Sequence, residues 1–193
     1  MSRQGVWQKS FGFLGSTPIV VEPSAGALSS DAGLLPLRQF DEVFGITRQF
    51  ADALEDQRYQ PFVNHSLLEM VRMRVYGILA DYEDQNDHSA LRSDPVFKLV
   101  AGRSPDDEDL ASQPTLSRFE NSISVDSLFR LRDVMIDQFI DSFEEPPTRL
   151  TFDIDTFDDP THGQQQLTFF HGYYGQYQYQ PCAIIPVTPG DQT

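Results

Sequence analysis

From Asp31 onward the apolar residues recur at helical spacing. Leu34, Leu37, Phe40, Val43, Phe44 and Ile46 fall three or four positions apart and predict a helix that Gly45 breaks or kinks. A second helical segment covers Thr47 to about Leu54. A third begins near Asn64, read as its N-cap, and carries Leu67, Leu68, Val71, Val75, Ile78 and Leu79. A short helix is expected around Asp94 to Val100. A long one runs from about Ser124 to Phe143, with Leu128, Leu131, Met135, Phe139 and Phe143 on one face, and Pro146-Pro147 stops it. Between these lie an acidic turn, Asp81 to His88, and a loop, Gly102 to Glu108. After Pro147 the period shortens. Leu150 to Thr156, Thr168 to Tyr174 and Tyr177 to Ile185 read as β-rich segments, the last two separated by Gly172 and Gly175. Residues 1–30 form an extended opening segment, strand-like at Pro18-Ile19-Val20-Val21 and loop-forming at Pro23, Gly26, Ser29 and Ser30. The fold class is α+β, helical before Pro146-Pro147 and β-rich after it, with no internal repeat.

Composition narrows the function classes. A chain of 193 residues suffices for a real core. Its 29 acidic against 14 basic residues give a formal charge of -15, which argues against a whole-surface nucleic-acid binder but leaves room for a local basic patch. Cys182 is the single cysteine, which fits a reducing compartment. The N-terminus, broken by Gly12, Gly15 and Pro18, makes a poor signal peptide, and no apolar run reaches the length of a membrane span. A soluble, cytoplasmic protein is expected.

The strand Leu150 to Thr156 carries the most informative chemistry. Alternation puts Phe152 and Ile154 on one face and Asp153 and Asp155 on the other, the two carboxylates about 7 Å apart. In a partly buried strand such a pair needs water or a cation, and Mg²⁺ suits an all-oxygen site with substrate phosphates. That reading points to phosphoryl transfer; a solvent-facing acidic strand end running into the Asp158-Asp159-Pro160 turn accounts for the residues equally well. Upstream, one helical turn over Asp107 to Ala111 followed by a helix opening at Pro114 has the layout of a helix-turn-helix, with Thr115, Ser117, Arg118 and Asn121 available to phosphates or base edges. An ordinary helix–helix corner has the same spacing, and the surrounding acidity favours it. His162 reads as a turn residue, and His65, His88 and His171 are scattered. Tyr173, Tyr174, Tyr177 and Tyr179 could stack on bases but read more simply as part of a half-buried strand. Neither a phosphate-binding glycine loop nor a nucleophile elbow is present.

Several stretches taken in order resemble one family. Tyr82 to His88, Leu91-Arg92-Ser93-Asp94-Pro95, Gln113 to Asn121 (QPTLSRFEN), Asp153-Ile154-Asp155, Asp158-Asp159-Pro160 with His162-Gly163-Gln164-Gln165, and Phe170 to Tyr174 (FHGYY) are similar to DDE-type insertion-sequence transposases of group 1, in their IS-thirteen-eighty-like branch. The resemblance runs from about Ser24 to the end of the chain. It implies a helical region at 31–145 that binds DNA ends or assembles, then a ribonuclease-H-like catalytic domain opening at 148–193, with Leu150 to Thr156 as its first strand. It implies strand cleavage and transfer of DNA by two divalent ions, Mg²⁺ or Mn²⁺, held by two Asp and one Glu. Asp155, just before Thr156, matches the first catalytic and metal-binding aspartate; Asp153 is the second choice. Phe157 departs from the threonine usual in the branch.

The family's second Asp and its Glu have no counterpart here, and roughly 45 β-rich residues fall short of an ordinary α/β catalytic domain. The chain therefore reads as a truncated, inactive transposase fragment. The alternatives are a non-catalytic DNA-end-binding or multimerising regulator of an intact transposase, and the inert remnant of a broken gene. The terminal inverted repeats of the element are the expected DNA partner, with self-assembly into a homo-oligomer also expected.

Overall fold

The computed structural model describes residues 9–15, 18–21, 29–161 and 166–187. The chain divides into two compact units, Met1–Phe139 and Ile140–Thr193, each taken by itself below. His162, Gly163, Gln164, Gln165, Pro23 and Gly26, all singled out above, lie outside the described residues. Among the described residues no helix is long and apolar enough to cross a membrane.

The first unit opens with a two-stranded antiparallel ribbon, β1 (Lys9–Phe11) against β2 (Ile19–Val21), with Phe11 opposite Ile19. Helices α1 (Leu34–Phe44) and α2 (Ile46–Ala53) follow, hinged at Gly45, whose φ of 67° is left-handed and whose N–H caps Asp41 at 2.7 Å. Helix α3 (Leu67–Leu79) is the centre of the unit. Its N-cap is Ser66, not Asn64: the Ser66 hydroxyl accepts from the Glu69 amide at 3.1 Å. Asn64 is instead used through its carbonyl, which accepts from Arg103 at 2.9 Å. The helix ends with Asp81 at φ 69°, where Tyr82 N–H bonds Gly77 O (2.9 Å) and Asp81 N–H bonds Ile78 O (3.1 Å).

The short α4 (His88–Leu91) and α5 (Pro95–Ala101) come next. Asp94 caps α5 by accepting from the Val96 and Phe97 amides, with Pro95 in the first turn where an N–H is dispensable. Then come α6 (Gln113–Asn121) and α7 (Val125–Asp141). The core gathers Leu34 and Leu35 from α1, Met70, Met73 and Tyr76 from α3, Phe97 and Val100 from α5, and Leu116 from α6. The apolar face expected of α7 is only partly used. Leu131 packs with Val71 and Leu54, whereas Leu128 and Met135 stay 55% and 61% exposed. Its docking is polar as well, since Arg130 Nε donates to Ala53 O at 2.7 Å.

Two polar knots pass through this core. In the first, Asp41 accepts from Thr47 N–H (2.8 Å) and from the Thr47 hydroxyl (2.5 Å), and Arg72 Nε donates to that hydroxyl at 3.1 Å. Arg38 lies over the Phe13 ring, 5.0 Å from its centre, and pairs with Glu42 at 2.7 Å. Arg38, Asp41, Thr47 and Arg72 are all buried. In the second, Arg74 reaches Glu120 with Nε, His88 Nε2 with Nη1 (3.0 Å) and Glu83 O with Nη2 (3.2 Å), while Gln85 also donates to Glu120. His88 is completely buried against Gly77, where a Cβ would stand 2.9 Å from the imidazole.

In the second unit β3 (Thr151–Thr156) pairs antiparallel with β7 (Cys182–Val187), Asp153 facing Ile185 and Asp155 facing Ala183. β4 (Asp159–Pro160) and β5 (Phe169–His171) flank β6 (Gln176–Tyr179). The Phe157–Pro181 and Thr161–Tyr177 backbone bonds continue the pairing between the two sheets. β3 is exposed at every position among the described residues, which corrects the expectation of a partly buried acidic strand. In β6 the buried residue is Gln178, while Tyr177 is 60% exposed and meets Phe170 edge-on across the strands at 5.5 Å. Tyr173 is 85% exposed.

Two outcomes follow for the helical unit. Asp41→Ala removes the acceptor of both Thr47 bonds and the carboxylate beside buried Arg72, and should cost about 3–5 kcal/mol, read by urea unfolding; a loss under 1 kcal/mol would show the knot to be dispensable. Burial and the Arg74 charge push the His88 imidazole down from 6.5 to about 4. The unfolded chain therefore takes up this proton first, so His88's contribution is complete above pH 6.5 and is lost as pH falls towards 4. An NMR titration should find the His88 ring neutral until about pH 4, and a midpoint near 6.5 would contradict its burial.

Candidate functional site

Helix α6 begins at Gln113 because Pro114 presets its first turn and lacks the N–H that would otherwise be orphaned there. Leu116 is fully buried and Phe119 partly so, which anchors one side of the helix. Thr115, Ser117, Arg118 and Asn121 lie on the remaining surface. Arg118 Nη2 donates to Thr115 Oγ1 at 3.2 Å, Thr115 Oγ1 is 3.1 Å from Ser112 Oγ, and Asn121 Nδ2 donates to Ser117 O at 2.8 Å. The structure therefore brings Thr115 and Arg118 together and ties Asn121 back onto Ser117.

The helix-turn-helix layout is not formed. Asp107 to Ala111 contains no helical turn. Leu110 and Ala111 are completely buried, and Leu110 N–H bonds Arg92 O at 3.0 Å. Lys98 Nζ donates to the Asp107 carbonyl at 2.8 Å and pairs with Asp109 at 3.7 Å, drawing this acidic stretch onto α5.

Two of the hollows that adjoin α6 meet at Arg118. One of about 310 Å³ is lined by Glu55, Asp56, Arg58, Met70, Thr115 and Arg118, among others. The other, about 400 Å³, is lined by Arg58, Tyr59, Phe62, His65, Thr115 and Arg118, among others. Arg58, Thr115 and Arg118 are common to both. Most charges here are answered. Arg58 grips Asp56 through two bonds of 2.7 Å and donates to His65 O at 2.9 Å. Those bonds hold the Asp56 carboxyl down at about 2. Arg130 pairs with Glu55 at 3.2 Å, and Arg103 pairs with Glu69 at 2.8 Å. Arg118 is exposed and takes part in none of the ion pairs among the described residues.

Tyr59 and Phe62 rise beside it, 70% and 83% exposed, their rings 5.5 Å apart. Pro61 opens the short 3₁₀ turn Gln60–Phe62 that presents them. Sequence reasoning passed over Arg58, Tyr59 and Phe62. Their signal was an arginine interleaved with aromatics over five residues, Arg58-Tyr59-Gln60-Pro61-Phe62, with no helical or strand period to absorb them.

The acidic strand forms the second candidate site. Asp153 and Asp155 share one face of β3 with Ile185 and Ala183, while Phe152 and Ile154 share the other with Pro186 and Ile184. Asp155 accepts from the Thr156 amide at 2.8 Å. Both carboxylates are exposed, so hydration answers their charge without a cation. Among the described residues no group of three or more His, Cys, Asp or Glu side chains is placed to hold a metal ion. Asp153 and Asp155 alone do not fit a two-metal centre, which needs further carboxylate ligands.

Comparison with known proteins bears on both sites. The family described as Transposase DDE domain group 1 matches residues 11–191. No curated protein and no solved structure matches the chain. The match spans both the helical unit with its α6 surface and the strand that carries Asp153 and Asp155. The chain belongs to the group 1 transposase DDE domain family.

Proposed function

We propose that this chain supplies the DNA-end-binding part of a DDE transposase of the IS-thirteen-eighty-like branch, together with the opening strands of its ribonuclease-H-like domain. The observation that carries this reading is the family match over 11–191, which takes in the helical region 31–145 and the acidic strand alike. Thr115, Ser117, Arg118 and Asn121 contact the DNA backbone or base edges of the element's terminal inverted repeats. The surface position of Arg118 and its lack of a carboxylate partner among the described residues support that role.

Asp155 is the first catalytic aspartate and metal ligand, with Asp153 beside it. Its placement in β3 immediately before Thr156, in a strand held antiparallel by β7, supports the assignment. After Asp159 the chain offers one further acidic residue, Asp191, and no glutamate. The family's Mg²⁺ or Mn²⁺ chemistry therefore needs carboxylates besides those of residues 150–193, and these 193 residues alone are expected not to cut DNA. The alternative, a non-catalytic regulator that occupies DNA ends or multimerises with an intact transposase, draws on the same α6 surface.

Two measurements test this. Arg118→Ala should weaken binding to a labelled element end and lower the salt slope by about one unit, as loss of a single phosphate contact requires. Equal binding by parent and variant would remove α6 from the interface. In a nicking assay with Mg²⁺ or Mn²⁺ the parent chain should leave the element end intact. Cleavage by the parent that disappears in Asp155→Ala would contradict the inactivity while establishing the aspartate.

A further inference from the structure

We propose that the hollow of about 400 Å³ between the Tyr59–Phe62 turn and α6 is a seat for one unpaired DNA nucleotide, its base against the two rings and its phosphate on Arg118. The inference rests on the DNA-binding reading of α6 and adds a ligand conformation to it. Three observations carry it. First, two aromatic side chains, Tyr59 and Phe62, stand side by side at 70% and 83% exposure and line this hollow. Successive rings at this separation present π-faces on which any base can stack. Second, Arg118 lines the same hollow, and the charges around it are already matched: Asp56 by Arg58, Glu55 by Arg130 and Glu69 by Arg103. The positive charge left over suits one phosphate, on a chain whose net charge of -15 otherwise repels nucleic acid.

Third, the walls are set in place. Arg58, whose guanidinium is locked by Asp56 and by His65 O, fixes the base of the aromatic turn. The Thr115 hydroxyl orients Arg118 at 3.2 Å. The volume lies at the small end of ligand hollows, right for a single nucleotide and too small for a duplex. Stacked bases inside a duplex have no free face to offer, so the seat selects a nucleotide that has left its pair.

The test uses the full chain and fluorescence anisotropy with three probes of one sequence: a duplex element end, the same end with a short unpaired extension, and the unpaired strand alone. The parent should bind the extended end more tightly than the duplex. In Tyr59→Ala and Phe62→Ala that gain should shrink roughly 5- to 100-fold, the loss of one base–aromatic stack, whereas Phe62→Tyr should keep it. A 2-aminopurine placed in the extension should be quenched by the parent and not by Phe62→Ala. Because both rings are exposed, circular dichroism and thermal unfolding of the variants should match the parent, which separates lost stacking from lost fold. A parent that binds duplex ends but gains nothing from the extension, or ring variants that keep the full gain, would overturn the seat and leave the DNA-binding reading standing. A parent that binds none of the three probes would overturn both.

Discussion

Two arginines two positions apart on α3, Arg72 buried and Arg74 half-buried, find their acceptors within the protein, and the helical unit is arranged around them. An unpaired buried guanidinium is among the costliest groups a fold can carry. Arg72 is answered by Thr47 and Asp41, which joins α3 to the α1–α2 corner. Arg74 is answered by Glu120, His88 and the Glu83 carbonyl, which joins α3 to α6, α4 and the acidic turn. Apolar packing of Met70, Met73 and Tyr76 supplies the driving force. The charges decide which neighbours sit where.

The functional proposal depends on the second of these ties. Arg74 and Gln85 both converge on Glu120, and Leu116, one turn earlier on the same face of α6, plugs into the core. The helix is therefore held by a buried leucine and a multiply bonded carboxylate, which leaves Arg118 outward. Gly77 takes part at a distance: only a residue without Cβ lets the His88 imidazole close against α3 and accept from Arg74. The outward position of Arg118 thus draws on residues buried away from that surface.

Helical periodicity made α1, α2, α3, α5 and α7 legible in the sequence, since each has an apolar stripe or a strong boundary such as the stop at Gly45 or the start at Asp94-Pro95. The failures have physical reasons. Asn64 and Ser66 are both good caps, and the choice fell to Ser66 because His65 and Arg103 both engage Glu69 at the third helical position. Asp107 to Ala111 reads as a helical turn by composition, yet Leu110 and Ala111 are buried in irregular chain whose Leu110 N–H bonds Arg92 O instead of closing a turn. His88 looked incidental because nothing local marks a histidine whose partners lie 14 and 11 positions upstream, at Arg74 and Gly77. The acidic pair was placed on one face correctly, as strand geometry requires. Its burial depended on a covering layer that alternation alone cannot reveal. The Arg58 to Phe62 turn follows no period, so its closeness to Arg118 was visible only in three dimensions.

Hydrogen exchange of the whole chain, with and without an element end that carries a short unpaired extension, tests most directly whether DNA is held by the α6 surface that α3 positions. Protection should concentrate on the amides of residues 113–122 and of the 58–65 turn, leaving those of 151–156 and 182–187 unchanged. Protection confined to the β-rich unit, with α6 and the aromatic turn exchanging as in the free protein, would contradict that arrangement.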